Sequence, residues 1–196
     1  MSASAIDSGP AGRLLERLPP NLTGAIWGFA EATLFFVVPD VWLTFLARDR
    51  LRPGVVAAFA ALGGAMVGGL LMMQLAAARP EPVTALVAAV PAVSAEQMTN
   101  VSIQLESHGA PAMLTGPLTG TPYKLYATLA PGAGVPVAEF LLWSIPARLV
   151  RFLLVTLVAH FVLRLLVARR LIRSRARFLG IFWLGFYAIF LTAMPW

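Results

Sequence analysis

The sequence predicts an all-α polytopic membrane protein in which two re-entrant helical hairpins accompany long transmembrane helices arranged as an inverted repeat. Three observations carry that expectation. Of 196 residues, 59% are hydrophobic and 12% charged, against roughly 45–50% and 25% in soluble domains. A soluble domain of this length would leave much of that apolar surface in water, whereas lipid tails solvate it. Two hydrophobic stretches are broken by proline, and each is followed by a long helical stretch.

Residues 1–21 lack the apolar region of a signal peptide and read as a cytosolic tail, with one short amphipathic turn around Leu14–Leu18. A membrane domain follows over residues 22–168, divided into a first half (22–78), a connector (79–109) and a second half (110–168). Its first segment, Leu22–Ala47, contains Glu31 and is broken at Pro39-Asp40. Arms of about fifteen and seven residues are each shorter than the ~20 needed to cross. Backbone broken at membrane depth needs protein or a watery cavity to cover it, so this segment reads as a re-entrant hairpin or discontinuous helix.

Arg48–Arg52 reads as a loop, and Pro53 suits the first turn of the next helix. That helix, Gly54–Ala78, carries Gln74 as its one strongly polar residue, with Ala60, Gly64 and Gly68 at four-residue spacing beside Gly63 and Gly69. Such a face lets another helix approach closely, and it also offers a surface for a second copy through Gly64 and Gly68. In the connector, Pro80, Pro82 and Pro91 break the chain before a helix over Ser94–Ser107. Ser94 and Gln97 form its capping box and Gly109 its C-terminal cap.

Segment three, Ala110–Gly134, alternates glycines with Pro111, Pro117, Pro122 and Pro131, which exclude a regular spanning helix. It repeats the character of segment one: short arms, a break around Gly120–Pro122, and one charge, Lys124. Segment four, Val137–Val167, is a long helix interrupted by Pro146 and bearing Arg148, Arg151, His160 and Arg164. A basic loop, 169–177, leads to a final apolar span, Phe178–Trp196. Interrupted segments in corresponding positions of two halves point to a transporter binding site. If Arg48–Arg52 and Arg169–Arg177 are both cytoplasmic, the two long helices run in opposite senses, as an inverted repeat requires.

The net charge of +6 comes from 15 basic residues, of which Lys124 is the one lysine. The basic block between apolar segments reads as topology near anionic headgroups, not as a nucleic-acid surface. Absence of cysteine excludes disulfides, thiolate catalysis and cysteine zinc sites. Two histidines, His108 and His160, carry no metal-ligand spacing, and neither a nucleophile elbow nor a phosphate loop is present. No enzyme activity, cofactor or metal is expected.

Five residues are the candidate site. Glu31 lies in an apolar context, where a carboxyl is protonated, paired or facing water, and so suits proton transfer; the alternative is an interfacial place at the end of a tilted arm. Asp40 either supplies counter-charge or caps the arm beginning at Val41. Lys124 is a compact cation able to bind phosphate or pair with Glu31 or Asp40, or else snorkels to the interface. Arg148 and Arg151 share a helical face and would repel unless an anion lies between them or acids pair with them; alternatively they mark the exit of the helix. Arg164 reads as an anchor, His160 as a packed polar residue, and Tyr123, Tyr126 and Trp143 as interface aromatics.

The stretches FAEATLFFVVPDVWLT, LTGTPYKLYATLAPGAG and SIPARLVRF together resemble the DedA family (the SNARE-associated or VTT-domain superfamily), and more closely its YqaA-like branch. The resemblance covers residues 22–168. It matches Glu31, Pro39 and Asp40 to the family's acidic and Pro-acid motif, Pro122, Tyr123, Lys124 and Gly132 to its second motif, and Arg148, Arg151 and Phe152 to its Arg-x-x-Arg-Phe run. The chain departs from the family at Gly120, which stands at a proline position, and in lacking the arginine before it. The resemblance implies translocation of lipid phosphates such as undecaprenyl phosphate, linked to the proton-motive force, and eukaryotic relatives resemble phospholipid scramblases.

The expected function is therefore flippase-like transport of an anionic lipid, a polyprenyl phosphate or phospholipid. Glu31 and Asp40 would handle protons or counter-charge, and Lys124, Arg148 and Arg151 would bind phosphate. The competing class is a non-transporting membrane adaptor or assembly factor. Membrane lipids are the expected partners, and arginine- and alanine-rich usage points to a multi-pass protein of a bacterial cell inner membrane.

Overall fold

The computed structural model describes residues 19–91 and 93–193, and every regular element among them is helical. The tail expected over 1–21 lies outside the described residues up to residue 18. Helix α1 is Pro20–Thr33, opened by a proline in its first turn, where the missing N–H costs nothing. After the break Leu34–Pro39 comes α2, Asp40–Ala47, so the two arms hold 14 and 8 residues. Helix α3, Leu51–Ala78, is the axis on which the rest assembles.

Glycine sets how α1 meets α3. A Cβ on Gly24 would lie 2.7 Å from the Ala57 carbonyl oxygen, and one on Gly28 would overlap that of Ala61. In return, Gly64 abuts the Ala25 carbonyl and Gly68 that of Phe29. Residue numbers rise together on both helices, so α1 and α3 run parallel with their backbones in contact. The Gly64 and Gly68 face thus takes the close helix neighbour that its small residues predict; that neighbour is α1 of the same chain, which fills the surface also offered to a second copy. Helix α2 then returns: a Cβ on Gly54 would touch Ala47. Both open ends of the α1–α2 hairpin therefore lie at one end of α3, and its turn follows the point where Ala32 meets Gly68. Trp27 Nε1 donates to the Val37 carbonyl at 2.9 Å and Trp42 Nε1 to Thr23 Oγ1 at 2.9 Å, tying the arms together.

The connector differs from expectation. Pro80 and Pro82 begin a helix, α4 (Pro80–Ala88), instead of breaking one, because both fall in its first turn. Helix α5, Ala95–His108, has the expected capping box: Ser94 Oγ accepts from the Gln97 N–H and Gln97 Oε1 from the Ser94 N–H, each at 3.1 Å. Gly109, with φ 63°, closes it. Val83, Val87, Val101 and Leu105 are buried against Met72, Met113 and Tyr126, so the connector is part of the core.

A 3-10 turn (Ala110–Leu114) and one helical turn (Gly116–Thr119) lead to Gly120, whose φ of 75° is a conformation proline cannot adopt. Helix α6, Tyr123–Leu129, carries the chain back to α7, Val137–Ala168. Gly109 lies beside Glu139 near the start of α7, whereas Tyr123 Oη meets Ser144 Oγ further along it, at 2.8 Å. This second hairpin opens at the end opposite the first. The two tips touch, where Lys124 Nζ donates to the Phe35 carbonyl at 2.7 Å.

Helix α7 continues through Pro146, where an interruption was expected. Its later part packs on the beginning of α3 through Thr156 beside Gly54, so the two long helices are antiparallel. Three helices are long and apolar enough to cross a membrane: α3, α7 and α8, Arg175–Ala193. The last begins three residues before the expected span, and the end of that span beyond Ala193 lies outside the described residues. Arg175 Nη1 donates to Asp49 Oδ1 at 3.1 Å and to the Arg48 carbonyl at 3.4 Å, which brings Arg48–Arg52 and Arg169–Arg177 to the same end. Hydrogen bonds from Arg48 and then Arg175 hold the exposed Asp49 carboxyl below its ordinary range.

Candidate functional site

A short arm cannot bury a charge by itself, so each candidate depends on its neighbours. Glu31 ends up in the last turn of α1, Asp40 at the start of α2, Lys124 in the first turn of α6, and Arg148 and Arg151 on one face of α7. All five line a single cavity of about 270 Å³ between the hairpin tips. Four of them, all but Arg151, are buried.

The acids and arginines are already paired. Arg148 embraces the Glu31 carboxylate with both terminal nitrogens, Nη1 to Oε1 at 3.4 Å and Nη2 to Oε2. Its guanidinium carbon lies 4.7 Å from the centre of the Tyr123 ring and 4.8 Å from that of Phe152, so aromatic faces supply the rest of its environment. Arg151 donates from Nε and Nη2 to Asp40 Oδ2, at 3.0 and 2.7 Å. Asp40 therefore spends its carboxylate on Arg151 and makes no helix cap. The pairs differ in access: the Arg151 side chain is 28% exposed against 7% for Arg148.

Lys124 is the cavity cation without a carboxylate partner among the described residues. It is 2% exposed, so it does not snorkel, and its ammonium bonds a backbone carbonyl at the opposing tip. Three cations against two carboxylates leave one positive charge in excess when all are ionised. Two buried atoms of the site, Asp40 Oδ1 and Arg148 Nε, have no hydrogen-bond partner among the described residues, and they are an acceptor and a donor. Buried polar atoms are normally satisfied, so each is a place for a ligand atom or water.

The expectation of interface aromatics is corrected, whereas that for His160 holds. Tyr123 and Tyr126 are core residues, 4% and 1% exposed, with hydroxyls on Ser144 and Gln104. Trp143 is half-buried against the same core. His160 is a packed polar residue whose Nδ1 lies 2.6 Å from the Ala47 carbonyl oxygen, and Arg164 is exposed. No group of His, Asp and Glu among the described residues is arranged to hold a metal ion.

The wall supplied by α8 was not foreseen. Phe182, Trp183, Phe186, Tyr187 and Phe190 close one side of the cavity. Their three- and four-residue spacing marks a single helical face and was readable in the sequence; what that face would meet was not. Two hydrogen bonds hold it: Tyr187 Oη accepts from the Val38 N–H at 3.0 Å, and Trp183 Nε1 donates to Thr44 Oγ1 at 3.0 Å. Tyr187→Phe and Trp183→Phe are each expected to cost about 1 kcal/mol, read as a fall of a few degrees in the unfolding midpoint of the solubilised protein.

No family model, curated protein or solved structure matches the chain.

Proposed function

We propose that this chain is a membrane transporter that carries the anionic headgroup of a lipid across the bilayer through the cavity between its hairpin tips. In this reading the two broken segments are re-entrant hairpins, entering from opposite faces and related as an inverted repeat. The opposed openings of the hairpins and the antiparallel long helices support that arrangement. The basic end, with Arg48–Arg52 and Arg169–Arg177, faces the cytoplasm of a bacterial cell.

The observation that carries the reading is the convergence of Lys124, Arg148, Arg151, Glu31 and Asp40 on one cavity. An arriving phosphate first meets the excess positive charge of Lys124. Arginine forks suit phosphate oxygens as well as carboxylates, so the anion competes with Asp40 for Arg151 and with Glu31 for Arg148. A carboxylate that loses its cation in a buried site is costly as an ion and takes up a proton. Anion entry is thereby linked to protonation, and anion release restores the ion pairs.

The test is transport of a labelled polyprenyl phosphate between leaflets of proteoliposomes. Lys124→Met removes the one cation that no carboxylate needs, and is expected to slow movement at least tenfold while the protein stays monodisperse. Unchanged movement would overturn the role of Lys124. Absence of movement with any lipid phosphate would favour the alternative, a membrane adaptor that uses its basic end to recruit partners.

A further inference from the structure

The geometry points to a second, apolar part of this site: a furrow between α7 and α8 that holds the hydrocarbon chain of the same anionic amphiphile whose head occupies the charged cavity. The inference rests on the headgroup reading above and adds where the chain lies. Helices α7 and α8 follow one another in sequence, yet α8 packs on α2. Between α7 and α8 remains a space of about 490 Å³, walled by Leu154, Val158 and Val162 on one side and Phe178 and Phe182 on the other.

Among the described residues, Asp40, Thr44 and the indole of Trp183 are the polar side chains that border the furrow. Thr44 Oγ1 donates to the Val41 carbonyl at 2.8 Å and accepts from Trp183 Nε1 at 3.0 Å, so it is engaged within the protein. Asp40 directs Oδ2 to Arg151. Apart from the unpartnered Asp40 Oδ1, on the residue the furrow shares with the charged cavity, its walls give water little to bind, and apolar cavities of this kind stay dry. In a bilayer a hydrocarbon chain fills such a space.

What singles out the chain of the bound amphiphile is continuity. Asp40, Phe182 and Trp183 border both the charged cavity and the furrow, so a head held by Lys124 and Arg151 has its chain exit at the furrow's mouth. From Leu154 to Leu163 the furrow follows α7 for roughly 14 Å at 1.5 Å per residue, about the reach of ten extended methylene carbons. A free phosphate would use the charged part alone.

The experiment uses the full chain in nanodiscs of zwitterionic lipid and dodecyl phosphate carrying a photoactivatable diazirine at mid-chain. Adducts are mapped by peptide mass spectrometry, and binding of radiolabelled inorganic phosphate is measured alongside. Labelling is expected to concentrate on residues 154–163 and 178–183 and to fall at least fivefold when excess inorganic phosphate is added. Ala159→Trp, which plugs the furrow, is expected to reduce that labelling at least fivefold, whereas Leu157→Trp on the exposed side of α7 leaves it unchanged. Labelling spread evenly over exposed faces of the wild-type protein, with inorganic phosphate still bound, would overturn the furrow and leave the headgroup reading standing. Furrow labelling equally strong with the uncharged dodecanol probe, and indifferent to phosphate, would overturn the headgroup reading instead.

Discussion

Alanine at Gly28 is expected to detach the first hairpin from α3. The new Cβ would overlap the Ala61 carbonyl oxygen, and the obstacle is backbone, which cannot swing aside as a side chain can. Over-packing costs about 1–3 kcal/mol where side chains can adjust, so about 3 kcal/mol or more is expected here, a large part of a stability of about 5–15 kcal/mol. Gly64→Ala meets the Ala25 carbonyl from the other side and should behave alike. Gly63→Ala is the control: nothing lies near its Cβ, and alanine is the better helix former by up to about 1 kcal/mol. Size-exclusion chromatography of the solubilised variants after a temperature ramp reads the contrast. Equal survival of Gly28→Ala and Gly63→Ala would show that α1 and α3 are not in backbone contact.

The second large effect concerns the buried Arg148–Glu31 pair, and it is asymmetric. Glu31→Gln leaves a guanidinium that cannot shed its proton, so the variant should lose about 3–5 kcal/mol. Arg148→Met leaves a carboxyl, which can be neutralised by a proton. Its deficit is therefore expected to be smaller than that of Glu31→Gln. The double replacement removes both charges and should recover most of the loss, giving a coupling energy of at least 1 kcal/mol in a double-mutant cycle. Additive single effects would show that the two side chains do not interact. The cycle separates folding from the proposed transport, because the double variant should be stable yet lack one of the arginines proposed to bind the anion.

Much of this protein could be read along the chain. Apolar excess announced the membrane, and three helices have the length and hydropathy to cross it. The breaks near Pro39 and Pro122 were visible because proline and glycine act on the local backbone, whatever surrounds them. The α5 capping box was equally local, complete within four residues. Glu31, Asp40, Lys124, Arg148 and Arg151 stood out because a charge in an apolar stretch has few cheap places to be.

Partnership was not readable. That Glu31 takes Arg148, Asp40 takes Arg151 and Lys124 takes a carbonyl depends on contacts across 117, 111 and 89 residues. No periodicity encodes those distances. The same holds for the Gly64 and Gly68 face, whose pattern promised a close helix neighbour without saying that α1 would be that neighbour. It holds also for Tyr123 and Tyr126, aromatic and polar at once, which suit an interface or a core until packing decides. Local chemistry settled where the chain breaks, where it is apolar enough to span, and where it carries charge. Which charges neutralise one another, and which helix walls the cavity, emerged only when the two hairpins met, because burial and electrostatics act through space and not along sequence.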